Sequence, residues 1–209
     1  MKMLTGIGAR PEFIKAAVVS HELLKHSNFE EHIVHTGQHY DYNMSKAFFE
    51  ELSIPLPKEN LGISGGSHAQ MTGSMMVALE DSMQRIQPDA VLLYGDTNST
   101  LAAALAAAKL HIPITHVEAG ARTGSKTNPE EINRICTDHV SSLLLACTEE
   151  SLANLGNEGL SAQSFFIGDP MLDAFFEYSM YAVTPELVDV STKHKIEVPG
   201  RFYYLTCHR

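Results

Sequence analysis

Short apolar runs alternate with longer stretches of helical character along most of the chain. The apolar runs predict strands at residues 3–7, 32–36, 90–94, 114–117, 142–146, 165–167 and 202–206. The stretches between them predict helices at residues 13–25, 44–52, 69–85, 99–110, 129–140, 148–156, 171–181 and 185–194. Such alternation is typical of a mostly parallel sheet with helices on both faces. The predicted fold class is therefore α/β, a doubly wound, Rossmann-like sheet that binds ligands beyond the carboxyl ends of its strands.

The amino-acid composition limits the kinds of partner that this chain can bind. The chain has 209 residues, 44% of them hydrophobic and 19% charged, which is typical of a globular protein. Its net charge of −10 disfavours binding to nucleic acid or to an anionic membrane surface. No apolar run approaches the ~20 residues that a membrane-spanning helix needs, and the N-terminus lacks the features of a signal peptide. Three widely spaced cysteines predict reduced thiols and a cytoplasmic location.

The loop after the first predicted strand, residues 6–12, combines two glycines with Arg10 and a proline at the start of a helix. Exposed backbone N–H groups at such a helix end favour a phosphate, and Arg10 and Lys15 are cations within reach of it. An ordinary tight turn, with both cations in solvent, explains the same residues. The loop completes neither the dinucleotide-binding glycine pattern nor a Walker A motif.

Polar residues also follow the other predicted strands. Gln38 and His39 come after the second strand, Asp96 after the most apolar strand, and Glu118 after the next, while Glu130 opens the following helix. Carboxylates that meet beside cations can hold different pKa values, as acid–base chemistry requires. The spacing predicts an anionic ligand and a proton-transfer enzyme. Helix capping by Asp96 and a structural role for His39 remain open alternatives.

The predicted helix at 129–140 carries two further pairs of polar residues. Glu130 and Glu131 lie in the first helical turn, where the helix dipole favours acidic side chains. Asp138 and His139, further along, are expected to face either the same cleft or water.

Six motifs in the chain are those of a known family. They are G-A-R-P-E-F-I-K, T-G-Q-H-Y-D, Y-G-D-T-N-S-T, H-V-E-A-G-A-R-T, P-E-E-I-N-R-I-C-T-D-H and the terminal T-C-H-R. Together, and in this order, they resemble the non-hydrolysing UDP-N-acetylglucosamine 2-epimerase family from residue 1 to residue 209. The resemblance lies nearest the branch that acts on UDP-N-acetylglucosamine or on UDP-2,3-diacetamido-glucuronic acid, and the pattern does not separate these two substrates.

The resemblance implies a fold of two Rossmann-like domains, of the type of GT-B glycosyltransferases, with the active site between them. It implies inversion at C2 of a UDP-sugar through removal of the C2 proton, loss of UDP to give 2-acetamidoglucal, and re-addition. It also implies a homodimer, with no cofactor and no metal.

The resemblance also implies roles for individual residues. The residues implied as catalytic are Asp96, Glu118, Glu130 and His208. The residues implied as substrate-binding are Arg10, Lys15, Gln38, His39, Arg122, Glu131 and Arg134.

The main departure from the family pattern is length, since members of the family are nearly twice as long. The expected organisation is an N-terminal Rossmann-like domain at residues 1–180, followed at residues 181–209 by a linker and the start of a second, UDP-binding domain. Tyr40 and Asp41 also differ from the residues of allosterically regulated members. A GT-B glycosyltransferase and an inactive fragment that binds sugar nucleotides remain as alternatives.

Overall fold

The computed structural model describes residues 1–38, 46–184, 186–197, 200, 201, 203 and 205. The chain divides into two compact units, Met1–Glu177 and Tyr178–Arg209. All the implied site residues except His208 belong to the first unit. Within the described residues, no helix is long and apolar enough to cross a membrane.

The first unit alternates strands and helices. Its strands are β1 (Lys2–Ile7), β2 (Glu30–His35), β3 (Glu59–Asn60), β4 (Ala90–Tyr94), β5 (Ile114–Val117), β6 (Leu143–Ala146) and β7 (Ser164–Phe166). Its helices are α1 (Arg10–Leu24), α2 (Lys46–Glu51), α3 (His68–Ile86), α4 (Asn98–Lys109), α5 (Pro129–Val140), α6 (Glu149–Asn157) and α7 (Pro170–Tyr178), whose last residue belongs to the second unit.

Among the described residues, seven strands form one sheet in the order β3-β2-β1-β4-β5-β6-β7. Every neighbouring pair is parallel, so all the carboxyl ends lie along one edge. The strand order reverses direction between β1 and β4, which is the point where such sheets bind ligands. The predicted α/β, doubly wound fold class is confirmed.

The core lies on both faces of the sheet because the central strands are buried on both sides. On one face, Met75 and Leu79 of α3 contact the alanine-rich α4 and strands β1 and β4. The alanines permit a close approach: a side-chain carbon added at Gly6 of β1 would lie 3.5 Å from the Cβ of Ala103. On the other face, Phe13 of α1 is fully buried and stacks on His35 at a centroid distance of 5.2 Å.

Several helices begin with a capping side chain just after a strand or loop. The hydroxyl of Thr97 accepts a hydrogen bond from the N–H of Thr100 at the start of α4, and Thr148 does the same for Ser151 in α6. Ser67 caps α3 through the N–H of Gln70. These caps fix the direction in which each helix leaves the sheet, and thus where its first turn lies.

The second unit contains a small antiparallel pair, β8 (Leu187–Val188) and β9 (Lys195–Ile196). The predicted helix at residues 185–194 is therefore wrong. The Asp189 side chain accepts hydrogen bonds from the N–H groups of Ser191 and Thr192, and these bonds lower its pKa to about 2. This turn closes a hairpin, and Lys193 in it adopts a positive φ of 61°, which a helix excludes.

The other predicted elements compare well with the structure. Predicted strands at 3–7, 32–36, 90–94, 114–117, 142–146 and 165–167 correspond to strands within one or two residues, and β3 was not predicted. The predicted strand at 202–206 lies largely outside the described residues. The helix predicted at 171–181 ends at Tyr178 and continues as one 3₁₀ turn, Ser179–Tyr181.

Two glycine substitutions test this packing. Gly120→Ala should lower the free energy of unfolding by about 2–5 kcal/mol, because its new Cβ would lie 2.2 Å from the Ser151 carbonyl oxygen at a φ of +80°. Gly73→Ala, in open space within α3, should raise that free energy by about 0.5–1 kcal/mol. Urea denaturation of both variants checks the contrast, and equal effects of the two substitutions would contradict it.

Candidate active site

Polar side chains gather where β1, β4, β5 and β6 end. The loop after β1 leads into α1, the loop after β4 into α4, and the loop after β5 into α5. Because these strands are neighbours and parallel, their loops lie side by side at one edge of the sheet. The predicted site residues of these loops are therefore brought to one region.

Glu12 holds two of these loops together. One of its carboxyl oxygens, Oε2, accepts hydrogen bonds from the N–H groups of Gly8 and Ala9, at 2.6 and 2.8 Å. The other, Oε1, lies 2.6 Å from the Thr97 hydroxyl and 3.0 Å from the Thr100 hydroxyl. Only 1% of Glu12 is exposed. The loop after β1 is thereby tied to the first turn of α4.

The surroundings of the Glu12 carboxyl group act on its pKa in opposite directions. The Thr100 hydroxyl lies within hydrogen-bond distance of two acceptors, Oε1 of Glu12 at 3.0 Å and the Tyr94 carbonyl oxygen at 2.7 Å. Burial raises the pKa of Glu12, and its hydrogen bonds from Thr97, Ala9, Gly8 and Thr100 offset this rise only in part.

This arrangement corrects one expectation about the first loop. The N–H groups of Gly8 and Ala9 were expected to be exposed for a phosphate, but both donate to Glu12. A carboxyl group of the chain itself fills the place of the anion at this helix end, as in a capping box. Lys15 and Arg10 of α1 then remain as the cations of this loop for an anionic ligand. Arg10 is exposed, with its guanidinium 5.9 Å from the centre of the Phe48 ring.

Lys15 and Glu118 form an ion pair between α1 and the end of β5. The Lys15 side chain is 7% exposed and that of Glu118 is 39% exposed, so the carboxylate is open to solvent on one side. Glu118 has a φ of +70°, and both its N–H and that of Ala119 donate to the Leu145 carbonyl. A non-glycine residue in the left-handed region is strained, and such strain is common at functional residues.

Asp96 and Arg134 form a second ion pair, between the loop after β4 and α5. The Arg134 guanidinium also contacts Glu131 at 3.1 Å, and only 12% of its side chain is exposed. The carbonyl of Asp96 accepts a hydrogen bond from the Asn133 amide at 2.9 Å. Asp96 is thus held through both its backbone and its carboxylate.

Glu130 and Glu131 have different surroundings although they are neighbours in α5. Glu131 is 2% exposed and accepts hydrogen bonds from the N–H groups of Thr123 and Gly124. Burial raises the pKa of Glu131, but these hydrogen bonds and the Arg134 charge outweigh it, so the pKa lies below its ordinary value. Glu131 thus shapes the loop after β5. Glu130 is half-buried and lies one helical turn before Arg134, on the face that carries the Asp96 contact.

Arg122 and Asp138 belong to a network beneath this edge. Arg122 donates to both carboxylate oxygens of Glu158 at 2.8 Å and to the Ala121 carbonyl, and its guanidinium lies 2.8 Å from Asp138. Asp138 is fully buried, so it faces neither the cleft nor water, while His139 is exposed and lies 3.2 Å from Glu158. The implied substrate-binding role of Arg122 stays a prediction, since all three guanidinium nitrogens already have partners within the protein.

Gln38 lies in the loop after β2, and its side-chain oxygen accepts a hydrogen bond from the Ser99 hydroxyl at 2.9 Å. The Ser99 hydroxyl also lies 2.7 Å from that of Thr36, and both hydroxyls fill the space beside Gly8. A substrate-binding role for Gln38 stays a prediction. His39 and His208 lie outside the described residues.

Two grooves differ in their relation to this edge. A groove of about 280 Å³ lies beside the Asp96 loop, where the first turns of α3, α4 and α5 meet; it is lined by His68, Ala69, Thr72, Asn98, Leu101, Pro129, Ile132 and Asn133. A larger groove of about 440 Å³ lies where α3 and α4 end, away from the carboxyl edge, and no acidic or basic side chain lines it. Among the described residues, no three His, Cys, Asp or Glu side chains are arranged to hold a metal ion.

Sequence reasoning missed three residues that shape this edge: Glu12, His116 and Cys147. Glu12 stands at the third position of a helix, which is the capping-box position, but an alanine precedes that helix and hides the signal. His116 lies in β5 and is fully buried. Cys147 follows β6, and burial together with the charges of Glu118 and Asp169 raises its pKa to about 11, which makes it a poor nucleophile.

Comparison with known proteins gives a consistent result. A family model described as UDP-N-acetylglucosamine 2-epimerase matches residues 21–209. The UDP-2,3-diacetamido-2,3-dideoxy-D-glucuronate 2-epimerase of Pseudomonas aeruginosa is 52% identical over 188 residues, which cover 88% of this chain and 53% of that protein. The UDP-N-acetylglucosamine 2-epimerase of Methanocaldococcus jannaschii is 42% identical over 210 residues, which cover 100% of this chain and 57% of that protein. The chain thus spans about half the length of these relatives.

Solved structures show the same likeness. The crystal structure of the Methanocaldococcus jannaschii UDP-GlcNAc 2-epimerase in complex with UDP-GlcNAc and UDP has a TM-score of 0.84 and 44% sequence identity, covering 87% of this chain and 50% of that one. MurG of Acinetobacter baumannii has a TM-score of 0.54 at 13% identity, covering 80% of this chain and 44% of that one, which is a likeness of fold alone.

The raised pKa of Glu12 predicts a pH-dependent contribution to stability. Because its folded-state pKa is raised, this contribution is complete below the unfolded-state pKa and is lost as pH rises through the folded-state pKa. The free energy of unfolding of the wild type, relative to Glu12→Gln, should therefore fall as pH rises from about 4 to 8. Urea denaturation of both proteins across this range measures the difference.

Glu22→Gln supplies the control of opposite sign on the same helix. Hydrogen bonding to Lys25 lowers the pKa of the exposed Glu22, so its contribution is present above the unfolded-state pKa and is lost as pH falls. A wild-type advantage over Glu12→Gln that grows with pH, as for Glu22, would contradict a raised pKa of Glu12.

Proposed function

The chain belongs to the UDP-N-acetylglucosamine 2-epimerase family, and we propose that it forms the carboxylate-bearing part of a sugar-nucleotide 2-epimerase. The observation that carries this proposal is the pair of cation–carboxylate contacts, Lys15–Glu118 and Arg134–Asp96, at one edge of the sheet. Each pair places a carboxylate, which can take or give a proton, beside a cation, which can bind a diphosphate. The proposed reaction inverts C2 of a UDP-sugar and makes the protein an isomerase.

The reaction needs both kinds of group. One carboxylate takes the C2 proton as the bond from C1 to the UDP oxygen breaks, which leaves a C1–C2 double bond and free UDP. A second carboxylic acid then returns a proton to the opposite face of C2 as UDP adds back to C1. Asp96, Glu118 and Glu130 are the proposed proton carriers, since all three reach the carboxyl edge. Lys15, Arg134 and Arg10 are the proposed cations that stabilise the charge on the departing diphosphate.

The partial exposure of the Asp96 and Glu118 carboxylates explains why this site needs groups from a second domain. Glu118 and Asp96 have exposed side-chain fractions of 39% and 32%, whereas their cations are almost buried. The carboxylates therefore present one open side, and a nucleotide bound there must be enclosed by other groups. We propose that residues 1–180 are the N-terminal Rossmann-like domain and that residues 181–209 are a linker and the start of a second, UDP-binding domain, to which His208 belongs. The family relatives, about twice as long as this chain, support this organisation.

Two substrates have specific support. A relative that covers 100% of this chain is a UDP-N-acetylglucosamine 2-epimerase, and a solved relative at 44% identity is in complex with UDP-GlcNAc and UDP. The 52% identical relative acts instead on a diacetamido-glucuronate derivative. We propose UDP-N-acetylglucosamine as the first substrate to test and UDP-2,3-diacetamido-glucuronic acid as the second. We also propose a cytoplasmic homodimer, for which the free thiols of Cys136 and Cys147 support the location only.

Exchange of the C2 proton with solvent tests the reaction. The longest product of the reading frame that contains this chain is incubated with UDP-N-acetylglucosamine in D₂O and followed by proton NMR. Deuterium at C2 together with a product of manno configuration is the expected result. Exchange with only the diacetamido-glucuronate substrate would select the second candidate, and transfer of the sugar to an acceptor without exchange would indicate a glycosyltransferase.

Amide variants test the proton carriers. Asp96→Asn and Glu118→Gln should each slow C2 exchange by at least about a hundredfold, because an amide cannot take or return the proton. Glu22→Gln, an exposed glutamate at the far end of α1, is the control and should keep the wild-type rate. Unchanged exchange in Asp96→Asn or Glu118→Gln would remove that residue from the mechanism.

Two lysine variants, one at the site and one distant from it, test the proposed diphosphate site. Lys15→Gln should weaken binding of UDP by about tenfold or more, because it removes a charged donor from a nearly buried position. Lys25→Gln changes an exposed lysine on the same helix and should leave binding unchanged. Calorimetric titration of UDP into both variants measures the effect, and equal affinities would exclude Lys15 from the anion site.

A further inference from the structure

A histidine with no role in the proposed reaction lies directly beneath the site. The ring of His116, in β5, is completely buried. Its Nδ1 atom lies 2.7 Å from Oδ1 of Asp138, and its Nε2 atom lies 2.7 Å from the carbonyl oxygen of Gly95. Both ring nitrogens therefore face oxygen atoms at full hydrogen-bond distance.

These partners fix the protons on the ring. A peptide carbonyl can only accept, so Nε2 of His116 must carry a proton for Gly95. Asp138 accepts from the N–H of Gly120 at 3.0 Å and lies 2.8 Å from the Arg122 guanidinium, as expected of a carboxylate. An ionised carboxylate also only accepts, so Nδ1 of His116 carries a proton too. The ring is then an imidazolium.

Charge balance supports the same state. The charged groups linked to His116 are Asp138, Arg122 and Glu158, and the exposed His139 lies at the outer side of Glu158. With a neutral His116, this network, in which Asp138 is buried and Glu158 is partly exposed, would hold two carboxylates and one guanidinium. With an imidazolium, the two negative charges meet two positive charges, which is the arrangement that burial favours.

The ring holds the turn that precedes Asp96. The N–H of Gly95 donates to the Val117 carbonyl at 3.1 Å, and its carbonyl accepts from His116, so β5 fixes both sides of this residue. Gly95 has a φ of +63°, and a side-chain carbon there would lie 3.3 Å from Oε2 of Glu118. The same peptide therefore sets the position of Asp96 and forms the surface beneath the Glu118 carboxylate.

We propose that His116 is a positioning residue: an imidazolium that, anchored by Asp138, holds the Gly95 carbonyl and thereby orients the Asp96 and Glu118 carboxylates. The charge state follows from this chain alone. The consequence for catalysis rests on the proposed epimerase function.

Histidine NMR on the wild-type chain tests the charge state without any substrate. In a ¹⁵N-labelled sample, both ring nitrogens of His116 should be of the protonated type between pH 6 and 8, the range in which an ordinary imidazole loses its proton. Through-bond correlation to the backbone assigns the ring. One unprotonated ring nitrogen at pH 7 would overturn the proposal.

Asp138→Asn tests the anchor. Without the carboxylate, His116 should become a neutral ring that keeps the Nε2 proton and its hydrogen bond to Gly95. A ring that stays doubly protonated in this variant would show that Asp138 does not hold the charge, and so would overturn the proposal.

His116→Gln tests the positioning role, with His139→Gln as the matched control on the exposed side of the network. The His116 variant should speed amide hydrogen exchange at Gly95–Thr97 and lower kcat roughly a hundredfold with little change in KM, because misplaced carboxylates bind substrate but transfer protons slowly. His139→Gln should change neither quantity. Unchanged exchange or unchanged kcat in a folded His116→Gln protein would overturn the positioning role.

The outcomes separate the two proposals. If the wild type shows no C2 proton exchange, the proposed function fails, while the ring protonation and the amide exchange rates still decide the role of His116. If C2 exchange occurs but the ring of His116 is neutral, the epimerase proposal stands and this inference fails.

Discussion

The parallel pairing of β4 with β1 on one side and β5 on the other is the constraint on which the site depends. It places three loops at one edge and brings the backbone groups of each loop within reach of side chains from the next. Gly95 shows the result, since its N–H and its carbonyl are both bound by β5. A loop held in this way cannot shift without breaking hydrogen bonds in its neighbours, so the side chains of Asp96 and Glu118 have defined positions.

The charged groups at this edge of the sheet are ordered by how deeply they are buried. The deepest groups have their partners within the protein: Glu12 accepts hydrogen bonds from backbone N–H groups and a threonine hydroxyl, and Asp138 lies between the His116 ring and the Arg122 guanidinium. The next layer holds the nearly buried cations Lys15, paired with Glu118, and Arg134, paired with Asp96 and Glu131. The outermost groups are those carboxylates. An anionic ligand approaching this edge would compete with Asp96 and Glu118 for the same cations, which links ligand binding to the state of the proposed proton carriers.

The sheet and the location of its polar loops could be predicted from the sequence, because the strands of parallel sheets have a recognisable apolar pattern and their carboxyl ends share one edge. Continuous apolar runs such as residues 90–94 indicate buried strands, and polar residues after them must lie at the carboxyl edge. Asp96 and Glu118 were found in this way. The hairpin of the second unit was not, because the Asp189 turn and the left-handed Lys193 depend on local hydrogen bonds that a helical pattern does not show.

By itself, the sequence determined the α/β class, the edge at which the polar loops meet and, through its ordered motifs, the family. Only the tertiary structure decided which neighbouring residues face the site and which support it. Glu130 and Glu131 are adjacent in the chain, yet Glu131 accepts hydrogen bonds from backbone N–H groups inside the protein while Glu130 is only half-buried. Likewise, the N–H groups of Gly8 and Ala9 suit a phosphate in the sequence but bind Glu12 in the fold. The physical reason is that a buried polar group takes the nearest partner that satisfies it, and that partner is set by packing between elements distant in sequence.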